Sequence, residues 1–174
     1  MLIMKHLNKQ YLLLTFFLFI AALFLLVSCS KMNTAGIKKD FNTGLSASYK
    51  NMEPGNVLLI MNNEVLNHTD IPVGEQFILA NDGIKGLTEK NGYVQVGCAL
   101  TISNKKGEVL LQDDDLFADK DRFKKEDAQM LKCTVNTGLP MQSDEDYNVS
   151  VVFWDKNGTG RIENKVTIHM IDMP

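Results

Sequence analysis

The sequence is poor in the residue types from which most catalytic and metal sites are built. Its 174 residues include three histidines and three cysteines. No Gly-x-Ser-x-Gly motif marks a hydrolase nucleophile, and no glycine-rich turn leads from a strand into a helix to hold a phosphate. The sequence therefore predicts no enzyme, no catalytic residue, no cofactor and no bound metal.

Long amphipathic helices and concentrated positive charge are also missing. The whole chain has 18 basic and 21 acidic residues, a formal net charge of −3. Without residues 1–28, which contain Lys5 and Lys9, 16 basic residues face 21 acidic ones and the charge is −5. Because nucleic-acid binding needs a concentrated basic surface, no nucleic-acid partner is predicted.

The first 27 residues have the pattern of an export signal. Met1–Gln10 carries Lys5, His6 and Lys9 and no acidic residue, and Tyr11–Val27 has no charge at all. A basic segment followed by an apolar one is typical of secretory signal peptides. The apolar run is also close to the roughly 20 residues that span a bilayer, so an uncleaved transmembrane anchor is the alternative.

Leu26-Val27-Ser28-Cys29 resembles the lipobox of bacterial lipoproteins. The resemblance implies cleavage before Cys29, a diacylglycerol group on its sulfur and acylation of the new amino group. The membrane is then a partner through the lipid on Cys29, and the rest of the chain faces the periplasm or the cell surface. Ser30, rather than an acidic residue, follows the cysteine, which favours the outer membrane over the inner one in the enteric sorting pattern.

Three segments follow from these patterns. Residues 1–28 are predicted to be a lipoprotein signal peptide. Residues 29–45 are polar, contain glycine and show no sustained apolar period, which predicts a flexible tether. Residues 46–174 are predicted to form one domain, a length typical of a single hydrophobic core.

The domain sequence has the period-two alternation of β-strands, punctuated by turn residues. Strand after strand joined by short turns favours antiparallel pairing. We expect an all-β fold, an antiparallel immunoglobulin-like β-sandwich of about seven or eight strands, with a small closed barrel as the alternative. The predicted strands begin near Gly44 and at Asn56–Asn62, Gln76–Ala80, Gly92–Ser103, Glu108–Gln112, Met130–Thr137, Tyr147–Trp154 and Arg161–Met170.

Residues 44–172 also resemble small Bacteroidetes lipoproteins with β-sandwich domains. The resemblance rests on the Gly44-Leu45 start, the Asn104–Gly107 hairpin turn and the Asp155–Gly158 turn. The Cys–Trp–Cys order of antibody domains is absent, since Trp154 follows both domain cysteines. The resemblance is therefore one of architecture and implies no activity.

Cys98 and Cys133 are the two cysteines left after Cys29 is assigned to lipid. Both fall on the apolar faces of their strands, which is compatible with a possible disulfide across the core. It is equally compatible with two buried free thiols. Alternation alone does not decide between them, because a disulfide requires a specific Cα separation.

Two loops have some features of calcium sites. Asp155–Gly160 matches the start of an EF-hand loop, but Val166 stands where a bidentate glutamate is required, so a hairpin is favoured. Asp113, Asp114, Asp115, Asp119 and Asp121 form an acidic loop, yet Lys120, Arg122, Lys124 and Lys125 lie among them. A solvated charged loop is favoured there.

His68 and His169 are the two histidines of the domain, one in a polar loop and one on the polar face of the last strand. Neither has a nucleophile nearby in sequence. We therefore expect a non-enzymatic binding or assembly module of the cell envelope with a protein or glycan partner. Its function would depend on an edge strand or on loops 63–75, 82–92 and 113–127. The alternative is an envelope enzyme or enzyme inhibitor with a site assembled from scattered loop residues.

Overall fold

The computed structural model describes residues 34–172, where nearly all regular structure is extended. The predicted signal peptide over 1–28 and Cys29 lie outside this range. Within it, no helix is long and apolar enough to cross a membrane. The elements are a 3-10 helix at Asp127–Gln129 and twelve strands, β1 (Ala35–Lys39), β2 (Ser46–Lys50), β3 (Asn56–Met61), β4 (Glu64–Val65), β5 (Asp70–Pro72), β6 (Gln76–Asp82), β7 (Tyr93–Asn104), β8 (Val109–Asp113), β9 (Arg122–Lys124), β10 (Met130–Asn136), β11 (Asp146–Asp155) and β12 (Arg161–Ile171).

The strands form two sheets that share one core. The first has β1, β2, β12, β11, β7 and β8 in that order, with β5 joined to β12 and β9 to β7. The second has the order β10, β6, β3, β4. All pairings are antiparallel except the short one of β5 with β12. The predicted all-β, sandwich-like architecture is confirmed, and residues 34–172 do not close into a barrel.

Alternation in the long strands decides which side chains form the core. In β11 and β12 every second residue is buried. Fully burying an aliphatic or aromatic side chain stabilises the fold by about 1.5–3 kcal/mol relative to exposure. The core therefore lies between the sheets, and its largest fully buried side chains include Tyr147, Phe77, Phe153, Leu45, Met52, Leu59 and Ile71.

Two asparagines interrupt this apolar core and join the sheets. Asn81 on β6 and Asn164 on β12 are both 0% exposed. The Nδ2 of each donates to the Oδ1 of the other, at 2.8 and 2.9 Å. Because a buried polar group without a partner costs about 1–3 kcal/mol, this reciprocal pair favours one alignment of the two sheets.

The structure corrects the predicted tether over 29–45. Residues 34–45 of that range are described, and Ala35–Lys39 within it forms β1, paired with β2. Leu45 is fully buried. β1 is an edge strand with no buried residue, so folding does not require an apolar alternation in its sequence. The folded domain therefore already includes Ala35.

Candidate binding groove

A groove with a volume of about 490 Å³ runs along one open edge of the sandwich. One wall is formed by the end of β1 and the turn after it, from Lys38 to Asn42. The other is formed by β3 around Val57 and by the chain from Val65 to Asn67. Because β1 ends one sheet and β4 ends the other, the groove lies where both sheets stop.

The β3 backbone offers unpaired polar groups to this groove. In an antiparallel strand, backbone groups of alternate residues point to the same side. The Leu59 carbonyl accepts from the Leu66 N–H on the β4 side at 2.8 Å, so the N–H and C=O of Val57 also point to that side. β4 pairs only with Ile60 and Met61. It therefore leaves the Val57 backbone uncovered.

The outer edge of β1 has the same property. The Asn51 N–H donates to the Thr34 carbonyl at 2.7 Å, and the Asp40 N–H donates to the Leu45 carbonyl at 2.8 Å. Even-numbered residues of β1 therefore point their backbone groups toward β2. No described strand pairs with the other edge, to which the backbone groups of Ala35, Ile37 and Lys39 are directed.

Apolar and charged side chains border the groove. Val65, in its lining, is 62% exposed, and Phe41, in the turn that forms one wall, is 89% exposed. Lys38 pairs with Glu53 at 3.9 Å, whereas Lys39 forms no ion pair within residues 34–172. The groove therefore combines apolar contacts, one unneutralised ammonium group and open backbone edges.

A polar turn holds one wall of the groove in place. The carboxylate of Asp40 accepts hydrogen bonds from the backbone N–H groups of Asn42 and Thr43 and from the Thr43 hydroxyl. The bond from the Thr43 side chain lowers the pKa of Asp40. At the opposite wall, Asn62 and Asn63 both have positive φ, 52° and 65°, as the type I′ turn of a two-residue hairpin requires.

His169 belongs to a separate polar cluster on the outer face of the larger sheet. Its Nδ1 lies 2.6 Å from Asp146 Oδ1, and Asp146 Oδ2 lies 2.8 Å from Lys105 Nζ. The hydrogen bonds from Lys105 and then His169 lower the pKa of Asp146. Asp146 and Lys105 also line a cavity of about 350 Å³.

This cluster contains an oriented imidazole and no nucleophile. A carboxylate on Nδ1 orients a histidine in the way that catalytic bases are oriented. Among residues 34–172, however, no hydroxyl or thiol forms a hydrogen bond with the His169 ring. His68 is exposed in the loop before β5 and takes no part in the hydrogen bonds of the cluster. The structure therefore joins His169 to a carboxylate and leaves His68 apart.

A lysine side chain holds the acidic loop in place, and the aspartates of the loop are not arranged as ligands of a metal ion. Lys156 Nζ lies 2.6 Å from Asp115 and 3.3 Å from Asp121. Asp115 Oδ1 also accepts from the backbone N–H groups of Cys98 and Phe117, both at 3.1 Å. No group of three or more His, Cys, Asp or Glu in residues 34–172 is placed to hold a metal ion.

The loop at Asp155–Gly160 joins β11 to β12, so the predicted hairpin is confirmed. Asp155 is 3% exposed. Its Oδ2 accepts from the Thr88 N–H at 2.7 Å and its Oδ1 from the Asn157 N–H at 2.9 Å. Both oxygens are therefore used to hold the hairpin and a neighbouring loop in position.

Cys98 and Cys133 are free thiols buried in the core. They lie on β7 and β10, in different sheets. The sequence prediction that both face inward is confirmed.

The sequence did not predict the groove. The groove combines β1, which was assigned to the tether, with β3 and part of loop 63–75, which come later in the chain. The one available signal was Asn62-Asn63 between the apolar run that ends at Met61 and the apolar pair Val65-Leu66, which indicates a tight hairpin and hence a short edge strand. Loops 82–92 and 113–127, also predicted to be functional, do not line the groove.

The sequence matches no family model and no curated protein. Among solved structures, this chain is similar to the crystal structure of the C-terminal domain of wzt, with a TM-score of 0.47 and 9% sequence identity. The similarity covers 83% of this chain and 81% of that chain. At this level, it carries no argument about function.

Proposed function

We propose that the chain is a lipid-anchored cell-envelope protein whose sandwich is a non-enzymatic binding or assembly module. Its location in the cell envelope is inferred from the basic segment, the apolar run and the lipobox-like Leu26-Val27-Ser28-Cys29. Two or more acyl chains on Cys29 would hold the protein stably at a membrane. The outer membrane is favoured over the inner one because Ser30 follows Cys29.

The groove between the two sheet edges is the observation that supports the binding role. An extended peptide can add to a free strand edge, where backbone hydrogen bonds supply affinity and side-chain contacts supply specificity. Val57 offers backbone groups on one wall, and the exposed side chain of Val65 offers an apolar contact. We infer that the occupant is an extended segment of a protein partner, with an acidic side chain opposite Lys39.

A photo-crosslinking amino acid at Val65 tests this proposal in cells that express the full chain. Val65 lines the groove and is 62% exposed, whereas Val109 on β8 is 55% exposed and lies at the other end of the larger sheet. We expect one adduct of defined mass from position 65 and none from position 109. Lys39→Glu should weaken the adduct at position 65, because it reverses the charge offered to the partner.

Equal adducts from both positions would mean that the groove has no special role. An adduct at position 65 that contains no polypeptide would contradict strand addition and favour a glycan partner. Loss of the position-65 adduct on Lys39→Glu would support the acidic partner, while its full retention would count against that part of the proposal.

We further propose that the sandwich is of the immunoglobulin-like type. Tyr147, near the start of β11, accepts a hydrogen bond from the Gln142 N–H at 2.8 Å. The tyrosine corner of immunoglobulin-like domains ties a strand to the preceding loop in a similar way. The assignment concerns architecture and brings no binding specificity with it.

An envelope enzyme or enzyme inhibitor is the second candidate. The observation in its favour is the 2.6 Å contact between His169 Nδ1 and Asp146 Oδ1 beside the smaller cavity. That cavity is lined by Asn104–Lys106 and Asp144–Asp146, all of them polar. Since no described nucleophile is bonded to His169, the binding module remains the proposal that the geometry supports best.

A further inference from the structure

The two thiols of the domain face each other from opposite sheets. Cys98 lies at the middle of β7 and Cys133 at the middle of β10. They are 0% and 2% exposed, and both belong to the apolar core. Each sheet therefore contributes one sulfur atom to the space between the sheets.

The two strands direct these thiols into the same core. Cys98 and Cys133 belong to one cluster of buried side chains, although β7 and β10 are in different sheets. The interaction with Cys133, together with burial, raises the pKa of Cys98, and the interaction with Cys98 lowers the pKa of Cys133. The fold therefore supplies what alternation in the sequence does not, two cysteines that enter one core from opposite sheets.

We propose that Cys98 and Cys133 form a disulfide in the exported protein and so join the two sheets covalently. The inference rests on the proposed envelope location, because structural disulfides persist in oxidising compartments. Cys29 does not compete in that setting, since its sulfur carries the lipid. In the bond the two sulfur atoms lie about 2.0 Å apart.

The oxidant is a protein disulfide of the thiol-oxidising class that acts on exported chains. One cysteine thiolate attacks that disulfide, forms a mixed disulfide and releases a thiolate of the oxidant. The second cysteine thiolate then attacks the mixed disulfide, forms the Cys98–Cys133 bond and releases the other thiolate. The two cysteines lose two protons and two electrons, and the oxidant becomes a dithiol.

Because both thiols are buried in the folded domain, the disulfide must form before the two sheets pack together. Neither thiol is accessible once the sheets have packed, so the oxidant must reach them in the unfolded or partly folded chain. The bond then closes a loop from residue 98 to residue 133. A disulfide of this kind stabilises mainly by restricting the unfolded state.

Thiol trapping of the full-length protein tests the proposal. Cells are lysed in denaturant with an alkylating agent, and peptides containing Cys98 and Cys133 are analysed by mass spectrometry without reduction. We expect both cysteines to be unalkylated and joined in one cross-linked peptide pair. A second arm refolds the reduced, detergent-extracted protein from denaturant in glutathione disulfide.

The two arms of the experiment distinguish the ability of the two cysteines to form a disulfide from the location of the protein in the cell. Free thiols in cells together with a Cys98–Cys133 bond after refolding would overturn the disulfide in the exported protein and with it the oxidising location. Free thiols in both arms would overturn the pairing itself and leave the location untouched. A Cys98–Cys133 disulfide in both arms supports both the pairing of the cysteines and the proposed oxidising location.

Thermal unfolding with and without reductant provides a readout that does not depend on peptide mapping. For the wild type we expect reductant to lower Tm by roughly 5–15 °C. Cys133→Ala, the control, should have the same Tm in both conditions, although it is less stable overall. A wild-type Tm that does not respond to reductant, at a concentration shown to free both thiols, would contradict a stabilising bond.

Discussion

Lys156 connects the hairpin between β11 and β12 to the acidic loop that follows β8. It belongs to the turn between β11 and β12, and its side chain is only 23% exposed. Its ammonium group bonds Asp115 and Asp121, while its backbone N–H donates to the Gln95 carbonyl at 2.9 Å. One side chain therefore fixes the acidic loop to the β11–β12 hairpin.

Asp115→Asn is expected to lower the free energy of unfolding by about 1–3 kcal/mol near neutral pH. Burial raises the pKa of Asp115, but hydrogen bonds from Lys156 and from the N–H groups of Cys98 and Phe117 outweigh it and hold the pKa below its ordinary value of 3.8. A carboxyl group with a lowered pKa stabilises the fold above its unfolded pKa, and that contribution is lost as the pH falls through the folded pKa.

The difference between wild type and Asp115→Asn should therefore shrink as the pH falls below about 4. Urea denaturation at a series of pH values measures it. Asp114→Asn is the matched control, since Asp114 is exposed and bonds only the Gln112 side chain. It should change the stability by less than about 0.5 kcal/mol. A difference for Asp115→Asn that is the same at every pH would contradict the role assigned to its charge.

The sequence could not reveal these residue partners. The acids and bases of 113–127 alternate as they do in a solvated loop, and Lys156 is far from them along the chain. The Asn81–Asn164 pair could not be predicted for the same reason, because an asparagine at an inward-facing strand position carries no mark of its partner. Pairing in space is decided by topology, which local pattern does not contain.

At the scale of elements, the strands that the sequence did not reveal are short. All eight predicted strands are present, with ends that differ by a few residues. The four unpredicted strands, β1, β4, β5 and β9, have two to five residues each. Such short strands lie at edges or pair over few residues, so they need no complete apolar face and show no clear alternation.

Hydrogen exchange of the β1 amides tests the assignment of this segment to the folded domain. The N–H groups of Gly36, Lys38 and Asp40 point to β2 and should exchange slowly. Those of Ala35, Ile37 and Lys39 point to the open edge and should exchange fast. This alternation is measurable residue by residue by NMR in the domain.

Fast exchange at all six positions would restore the predicted tether over 29–45. The odd-numbered amides also report on function, because they should become protected when a partner strand occupies the edge of β1. Amides in the centre of β11, paired on both sides by β7 and β12, provide the internal reference for full protection.

For the whole molecule, membrane attachment is the property with the clearest test. Cys29→Ala is expected to abolish labelling with a radioactive fatty acid and to release the protein from the membrane fraction, because in the proposal the lipid on Cys29 provides the attachment. Cys98→Ala is the matched control and should leave both unchanged. A Cys29→Ala protein that resists alkaline extraction would instead favour the uncleaved transmembrane anchor.

Some features of the molecule can be predicted from the sequence pattern, and others depend on the topology of the two sheets. Fold class, the long strands and their inward-facing residues follow from alternation, since it reflects burial directly. The groove could not be predicted, because it exists only where the edges of two sheets come together. The same holds for the entry of Cys98 and Cys133 into one core from opposite sheets, since their strands are separated along the chain by β8, β9 and a loop.

The position of β12 has a consequence for the order in which the chain is made. β12 follows every other described strand, yet it lies between β2 and β11 in the interior of the larger sheet. Until the ribosome has added it, β1 and β2 have no connection to β11 and β7. Such long-range pairing makes folding slow, and the larger sheet can be completed only after β12 has been synthesised. That delay suits a chain proposed to be threaded through a membrane before it folds.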